Sequence, residues 1–269
     1  MPWSISRLVP RAAAHLLLPT LLLAGPVAHA QKAPATMMLL ETGPPNARYV
    51  VPHFASGPDS LRALLSRVQR QASPALTGEL FLYLELNKAG RPANAYYLRP
   101  PARPATLVAR SKEAKDLANQ LVAQLPAWQL APEAAGTPDA TIVLPLYFGS
   151  SAPAPLLYSD EKPVFPVPAA YSLPRGTQQP YNVKDFLQRQ VRYPAEDIRN
   201  QVQGTVYAYF EVSETGAIEQ RRIVGSLSPS LDAEVLRVLQ SLPAALTPPR
   251  HQGRPVRVAY VLPLNFRVV

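Results

Sequence analysis

The stretch GTVYAYFEVSETG at 204–216 has a near copy upstream, GELFLYLELNKAG at 78–90. Aligned, Leu80, Leu82, Leu84 and Leu86 fall on Val206, Ala208, Phe210 and Val212, so an apolar residue recurs at every second position. Phe81, Tyr83 and Glu85 answer Tyr207, Tyr209 and Glu211 between them. Successive side chains of a strand point to opposite faces, so each copy specifies a strand with one continuous apolar face. Both strands run into a polar connection that closes on Gly90 or Gly216, the mark of a hairpin turn that needs a positive φ. The recurrence of Glu85 and Glu211 reads as the solvated face of a strand and not as two carboxylates of one site.

The repeat continues beyond the hairpin. Leu125-Pro126 matches Leu242-Pro243, Gly136 and Pro138 match Gly253 and Pro255, and VLPLYF at 143–148 matches VLPLNF at 261–266. The first copy carries a longer insert, 99–111, where the second has 225–230. A period of about 120 residues is the size of a domain and not of a solenoid repeat. We therefore expect two tandem domains, 49–150 and 181–269, of α+β class, each a small antiparallel sheet (a hairpin plus a long last strand) packed on a helix.

The second copy predicts its elements in detail. Short helices are expected over 183–190 and 195–200, separated at Tyr193-Pro194 because a proline pushes its predecessor out of helical geometry. Strands follow over 205–212 and 217–224, then a helix from Pro229 to Leu242 with Ser228 as N-cap. Leu231, Val235, Val238, Leu239 and Leu242 form its apolar stripe. The last strand spans 255–268, with Val256, Val258, Tyr260, Leu262, Leu264 and Phe266 on one face and Arg257, Ala259, Val261, Asn265 and Arg267 on the other. Pro263 in its interior has no backbone donor, so this strand is expected at a sheet edge, or the proline marks its break from the ladder.

Ahead of the copies, Arg7 and Arg11 precede an apolar run and the small-residue triplet Ala28-His29-Ala30. That order is the pattern of a cleaved secretory signal peptide over 1–30, placing the mature chain in the periplasm. The alternative is an uncleaved anchor in the inner membrane facing the periplasm, which needs about 20 apolar residues; Pro19 and Pro26 interrupt the run. The chain has no cysteine, which removes disulfides, thiolate metal sites and cysteine nucleophiles. Its formal net charge of +9 comes without consecutive basic runs, so dispersed solvated charge is expected and nucleic acid is not a partner. The 32 prolines concentrate between folded units, giving a Pro-containing tail at 31–48 and a semi-rigid Pro-rich linker at 151–180.

Catalytic patterns are missing. His53 and His251 lie in loop-like surroundings without neighbouring ligands, so exposed polar residues are expected there. Ser159 to Lys162 matches SxxK, but Pro163 follows and no companion motif occurs, so a cell-wall hydrolase is the weakest of the readings.

The run from Tyr193 to Pro243, followed by GRPVRVAYVLPLNF, resembles the carboxy-terminal domain of the TonB family over 193–266. The carrying features are Tyr-Pro at 193–194 with Asp197 where the family has alanine, the QGTV strand start, the SLDAEVLR helix and the LPLNF ending. KPVFP at 162–166 resembles the lead-in of such proteins, and 49–150 resembles a degenerate second copy. TonB-like transducers place a tryptophan after the helix; Trp128 fits that place in the first copy, whereas Ala245 and Leu246 occupy it in the second. Transducers also carry an anchor serine four residues before a histidine, where this chain has Arg11 before His15, and a long Pro-rich spacer that this chain lacks. The resemblance implies a non-catalytic protein without cofactor or metal. It further implies that an outer-membrane TonB-dependent transporter is the partner, its TonB box peptide adding as a strand in energy-coupled transport. The expected docking residues are Val256, Arg257, Val258, Ala259, Tyr260 and Val261, with Tyr193 and Pro194 beside them. The alternative is an envelope scaffold that uses the same edges for self-association, as a homodimer, or for other partners.

Overall fold

The structure, a computed structural model, describes residues 37–39, 53–101, 111–130, 140–150, 153–166 and 181–268. The expected signal peptide lies outside the described residues, as do most of the tail and residues 167–180 of the linker. No helix among the described residues is long and apolar enough to cross a membrane.

The architecture is α+β, and one element order occurs twice. In the first half α1 (Pro58–Gln69) is followed by the hairpin β3 (Gly78–Leu86) and β4 (Pro92–Tyr97), then α2 (Lys112–Gln124) and β6 (Ala140–Phe148). In the second, α3 (Val183–Gln190) and α4 (Ala195–Arg199) precede the hairpin β9 (Gly204–Val212) and β10 (Ile218–Gly225), then α5 (Pro229–Gln240) and β13 (Val258–Phe266). Each half builds a three-stranded antiparallel sheet with the first hairpin strand in the centre, in the orders β4-β3-β6 and β10-β9-β13. Ser228 caps α5 by accepting the Leu231 amide, as its position ahead of Pro229 predicts. The last strand is shorter than its apolar pattern, because Arg254–Pro255 (β12) turns back to pair with Arg250–His251 (β11).

The turns repeat the same device. Asn87 Oδ1 accepts from the Ala89 and Arg91 amides, and Ser213 Oγ accepts from those of Thr215 and Ala217. Gly90 and Gly216 follow with φ of 72° and 85°. Each glycine carbonyl then accepts an amide from the segment after the helix, Trp128 in the first half (2.7 Å) and Ala245 in the second (2.8 Å). Trp128 and Ala245 are thus equivalent positions, as the alignment implies.

The helices of each half cover one face of its sheet, burying Leu82, Leu84, Leu121 and Trp128 in one core and Ala208, Phe210, Val235, Leu239, Leu262 and Leu264 in the other. The two remaining faces pack on each other, making four layers: helix, sheet, sheet, helix. Phe81 meets Tyr209 edge-on at 5.7 Å and Tyr83 meets Tyr207 at 5.8 Å. Arg222 lies 3.7 Å over the Tyr209 ring and donates twice to Glu79, at 2.7 and 3.1 Å. This corrects the expectation of a solvated face at Glu211. Its side chain is buried because the first sheet covers it, and it accepts from Tyr209 Oη at 2.6 Å and from Arg257.

The described part of the expected linker is a strap bound to both halves. Leu156 and Phe165 enter the second core and Tyr158 the first. Val164–Pro166 (β7) pairs with Met37–Leu39 (β1), which pairs in parallel with Tyr181–Asn182 (β8). Val164 also bridges Thr247, as His53–Phe54 (β2) pairs with Trp128–Gln129 (β5) in the first half. The proline-fixed extended chain presents Leu156, Tyr158 and Phe165 as apolar anchors, which turns a spacer composition into a packed segment.

Candidate partner-binding site

β13 is an edge strand, paired with β9 through the register Val258↔Val212 to Phe266↔Gly204. The outward side of its backbone is read from its other bonds. Arg257 O accepts from Leu156 N at 3.0 Å, and Ala259 N donates to Leu156 O at 2.8 Å. At the far end, Asn265 N donates to Gln188 Oε1 and Asn265 O accepts from Gln188 Nε2, both at 2.8 Å. Alternation then places Val261 and Pro263 on the same outward side. The missing donor of Pro263 therefore faces away from the ladder, which is how a proline persists within this strand.

Side chains sort as the pattern predicts. Val258, Tyr260, Leu262, Leu264 and Phe266 enter the second core, while Ala259 and Val261 face the first sheet. Val256 is half-buried against the second core. Arg257 is held by three carboxylates: Glu219 at 2.5 Å, Glu211 at 3.0 Å and Glu214 at 3.6 Å. The hydrogen bonds it donates to Glu219 and Glu211 raise its pKa above the ordinary arginine value. Beside it opens a cleft of about 580 Å³, with Glu79, Tyr147 and Arg222 on one side and the strap residues Pro153, Pro155 and Leu156 on another. Tyr147 and Tyr209 share a 2.7 Å hydroxyl contact at its floor, and burial raises both phenols above their ordinary pKa.

Tyr193 and Pro194 do not join this stretch. The Tyr193 ring stands edge-on to Phe266 at 5.4 Å and its hydroxyl donates to Val202 O. Phe266 is eight residues from Val258 along β13, roughly 26 Å at strand rise. Pro194 serves as the residue before α4. Asp197, in the place of the family's alanine, is buried and accepts from Ser230 Oγ at 2.6 Å, fastening α4 to the start of α5.

Sequence reasoning missed Leu156, Gln188 and the carboxylates around Arg257, which come together only through the tertiary fold. It also misplaced His251, whose side chain is only 13% exposed. Its Nδ1 lies 2.9 Å from Asp160 and its Nε2 3.0 Å from Asp59, so it joins the strap, α1 and the β11–β12 hairpin. The Gln252 amide and then His251 hold the Asp160 carboxyl below its ordinary pKa. His53 stacks on Tyr158 at 4.7 Å. Among the described residues no group of three or more His, Asp or Glu side chains is placed to hold a metal ion.

Residues 189–268 match the family model for the Gram-negative bacterial TonB protein C-terminal. Among solved structures, the chain is similar to the solution structure of the Helicobacter pylori TonB carboxy-terminal domain. Sequence identity is 15%, the match covers 32% of this chain and 89% of that one, and the TM-score is 0.25. No curated protein matches the chain.

Proposed function

We propose that the chain, whose residues 189–268 match the TonB C-terminal family model, is a non-catalytic periplasmic binding protein for an outer-membrane TonB-dependent transporter. The transporter's TonB box adds as an extended strand along β13, in energy-coupled transport across the outer membrane. The observation that supports this reading is the place of β13 at the margin of its sheet, with an outward backbone that alternates through Arg257, Ala259 and Val261. An added strand draws affinity from main-chain hydrogen bonds and selectivity from alternate side chains. Val256 to Val261 form the docking stretch, and Tyr193 braces the opposite end of the same strand while Pro194 leads into α4.

The test is titration of the full chain with synthetic TonB box peptides, followed by fluorescence anisotropy. Saturable binding is expected, weakened about tenfold or more by Ala259→Pro, which deletes an outward donor at an edge position that tolerates proline. Failure of every such peptide to bind, to the wild type and to the strap variant described below, ends the reading.

A scaffolding role has one observation in its favour. β4 is the outer strand of the first sheet, with Ala93 to Tyr96 exposed, Tyr96 at 51%, and no charged residue from Pro92 to Tyr97. Uncharged exposed edges invite pairing with another chain. Concentration-dependent dimerisation in sedimentation, without peptide binding, would select that role instead.

A further inference from the structure

The margin that strand addition requires is already taken by the chain itself. Leu156 accepts the Ala259 amide and donates to the Arg257 carbonyl, bridging Val258 in parallel orientation. Those are the two bonds that one residue of an added parallel strand makes. The Leu156 side chain, 2% exposed, seats in the second core beside the strand. The hold is nevertheless local. Pro153 and Pro155 have no amide to donate, and residues 153–156 line the open cleft on their far side. The rest of the strap is anchored elsewhere. Tyr158 Oη donates to Phe54 O at 3.0 Å, Glu161 and Arg250 exchange backbone bonds at 2.9 and 3.0 Å, and Val164 bridges Thr247. Residues up to Leu156 can therefore leave β13 while the strap from Leu157, whose side chain packs on the first core and on the sheet–sheet cluster, stays fixed.

We propose that residues 153–156 are an intramolecular competitor for the docking margin, displaced when a partner strand binds, and that they define what displaces them. The partner is an extended peptide, parallel to β13, with a leucine-sized apolar side chain at the residue that bridges Val258. The proposal rests on the strand-addition reading above. Displacement exchanges the two strap bonds for two of the same kind and one buried apolar side chain for another, so strap and partner compete for one seat. A peptide with a charged or polar residue at the Leu156 position leaves that seat empty and does not compete.

The probe is a fluorescein-labelled copy of residues 152–159, Ala-Pro-Ala-Pro-Leu-Leu-Tyr-Ser, titrated by anisotropy into the full wild-type chain and into Leu156→Gly. The wild type is expected to bind at least ~10-fold more weakly, because only its strap-open fraction is competent. The same peptide with its first leucine replaced by glycine should bind neither chain. Equal affinity for the two chains, or no binding to a folded Leu156→Gly chain, overturns the proposal. Amide hydrogen exchange in the wild type needs no variant and decides the matter if Leu156→Gly does not fold. The Ala259 amide, held by the strap alone, should exchange at least ~10-fold faster than those of Tyr260 and Leu262, which face β9. Equal protection of the three would show that the strap opens only with the whole domain, and would overturn the proposal. TonB box peptides separate this proposal from the functional reading. Equal binding to both chains leaves strand addition standing and removes the competitor. Binding of the strap peptide to Leu156→Gly without binding of any TonB box peptide keeps the competitor and removes the transporter.

Discussion

The two halves share their element order and their turn geometry, yet they manage the margins of their sheets in opposite ways. In the first, the outer hairpin strand β4 is uncharged, exposed and regular through Asn94–Tyr97. In the second, β10 carries Glu219, Arg221 and Arg222, is interrupted by two register shifts, and has Gln220 at a φ of 52°. Charges and bulges are the usual means of keeping an edge from pairing with other chains. At the opposite margin, β13 is engaged by the strap residue Leu156 and by the Gln188 side chain. Restraint has been concentrated on the half that matches the TonB C-terminal family model.

A second contrast lies behind the turns. Trp128 is buried and meets Phe54 edge-on at 5.2 Å, whereas its counterpart in the second half is Ala245. Trp128→Ala removes this difference and tests how much the first half depends on the ring. It should cost about 3–5 kcal/mol in denaturant unfolding and empty the core around Phe54. A cost below about 1 kcal/mol would mean that the half relaxes to the small-residue solution of its partner. Next in size is the turn glycine. An added Cβ at Gly90 would lie 2.0 Å from Trp128 O, and at Gly216 2.7 Å from Ala245 O. Both alanine variants therefore lose stability, by roughly 1–3 kcal/mol from positive φ and crowding, with Gly90→Ala the worse of the two.

The surface between the sheets is probed by removing hydroxyls. Tyr209→Phe strips partners from both Glu211 and Tyr147 and should cost about 1–3 kcal/mol, while Tyr147→Phe leaves the Tyr209–Glu211 bond intact and should cost about 1 kcal/mol. Equal costs would show that the two halves, and not Glu211, set the value of this contact. The smallest effect is expected at Asp160, which is exposed. Its pKa is lowered on folding, so its stabilisation is present above the ordinary carboxylate pKa of about 3.9 and is lost as pH falls through the folded value. Asp160→Asn should therefore cost a little stability at pH 7, and its difference from the wild type should vanish as the pH falls well below about 4.

Local pattern carried much of the fold. Period-2 runs located β3, β9 and β13 and assigned their two faces, Ser228 marked the start of α5, and Pro263 marked an edge. What it could not carry was the identity of whatever covers each face. Tyr207 and Tyr209 look like a half-polar outer surface until the first sheet is laid on them, and Leu156 looks like part of a spacer until it reaches β13. The Asp59–His251 and Asp160–His251 contacts join residues 192 and 91 positions apart, a separation at which no spacing rule speaks. Tyr193 and Val258 lie on one strand's neighbourhood but at opposite ends, because adjacency in a motif says nothing about position along a ladder.

The burial of one sheet on the other also bears on dissection of the chain. A fragment cut to residues 181–269 would bare Tyr207, Tyr209, Ala259 and Val261 together, an aromatic-rich slab that water solvates poorly. It would recruit the nearest substitute, another fragment or a vessel wall, and any partner found with it would report the wound and not the intact molecule.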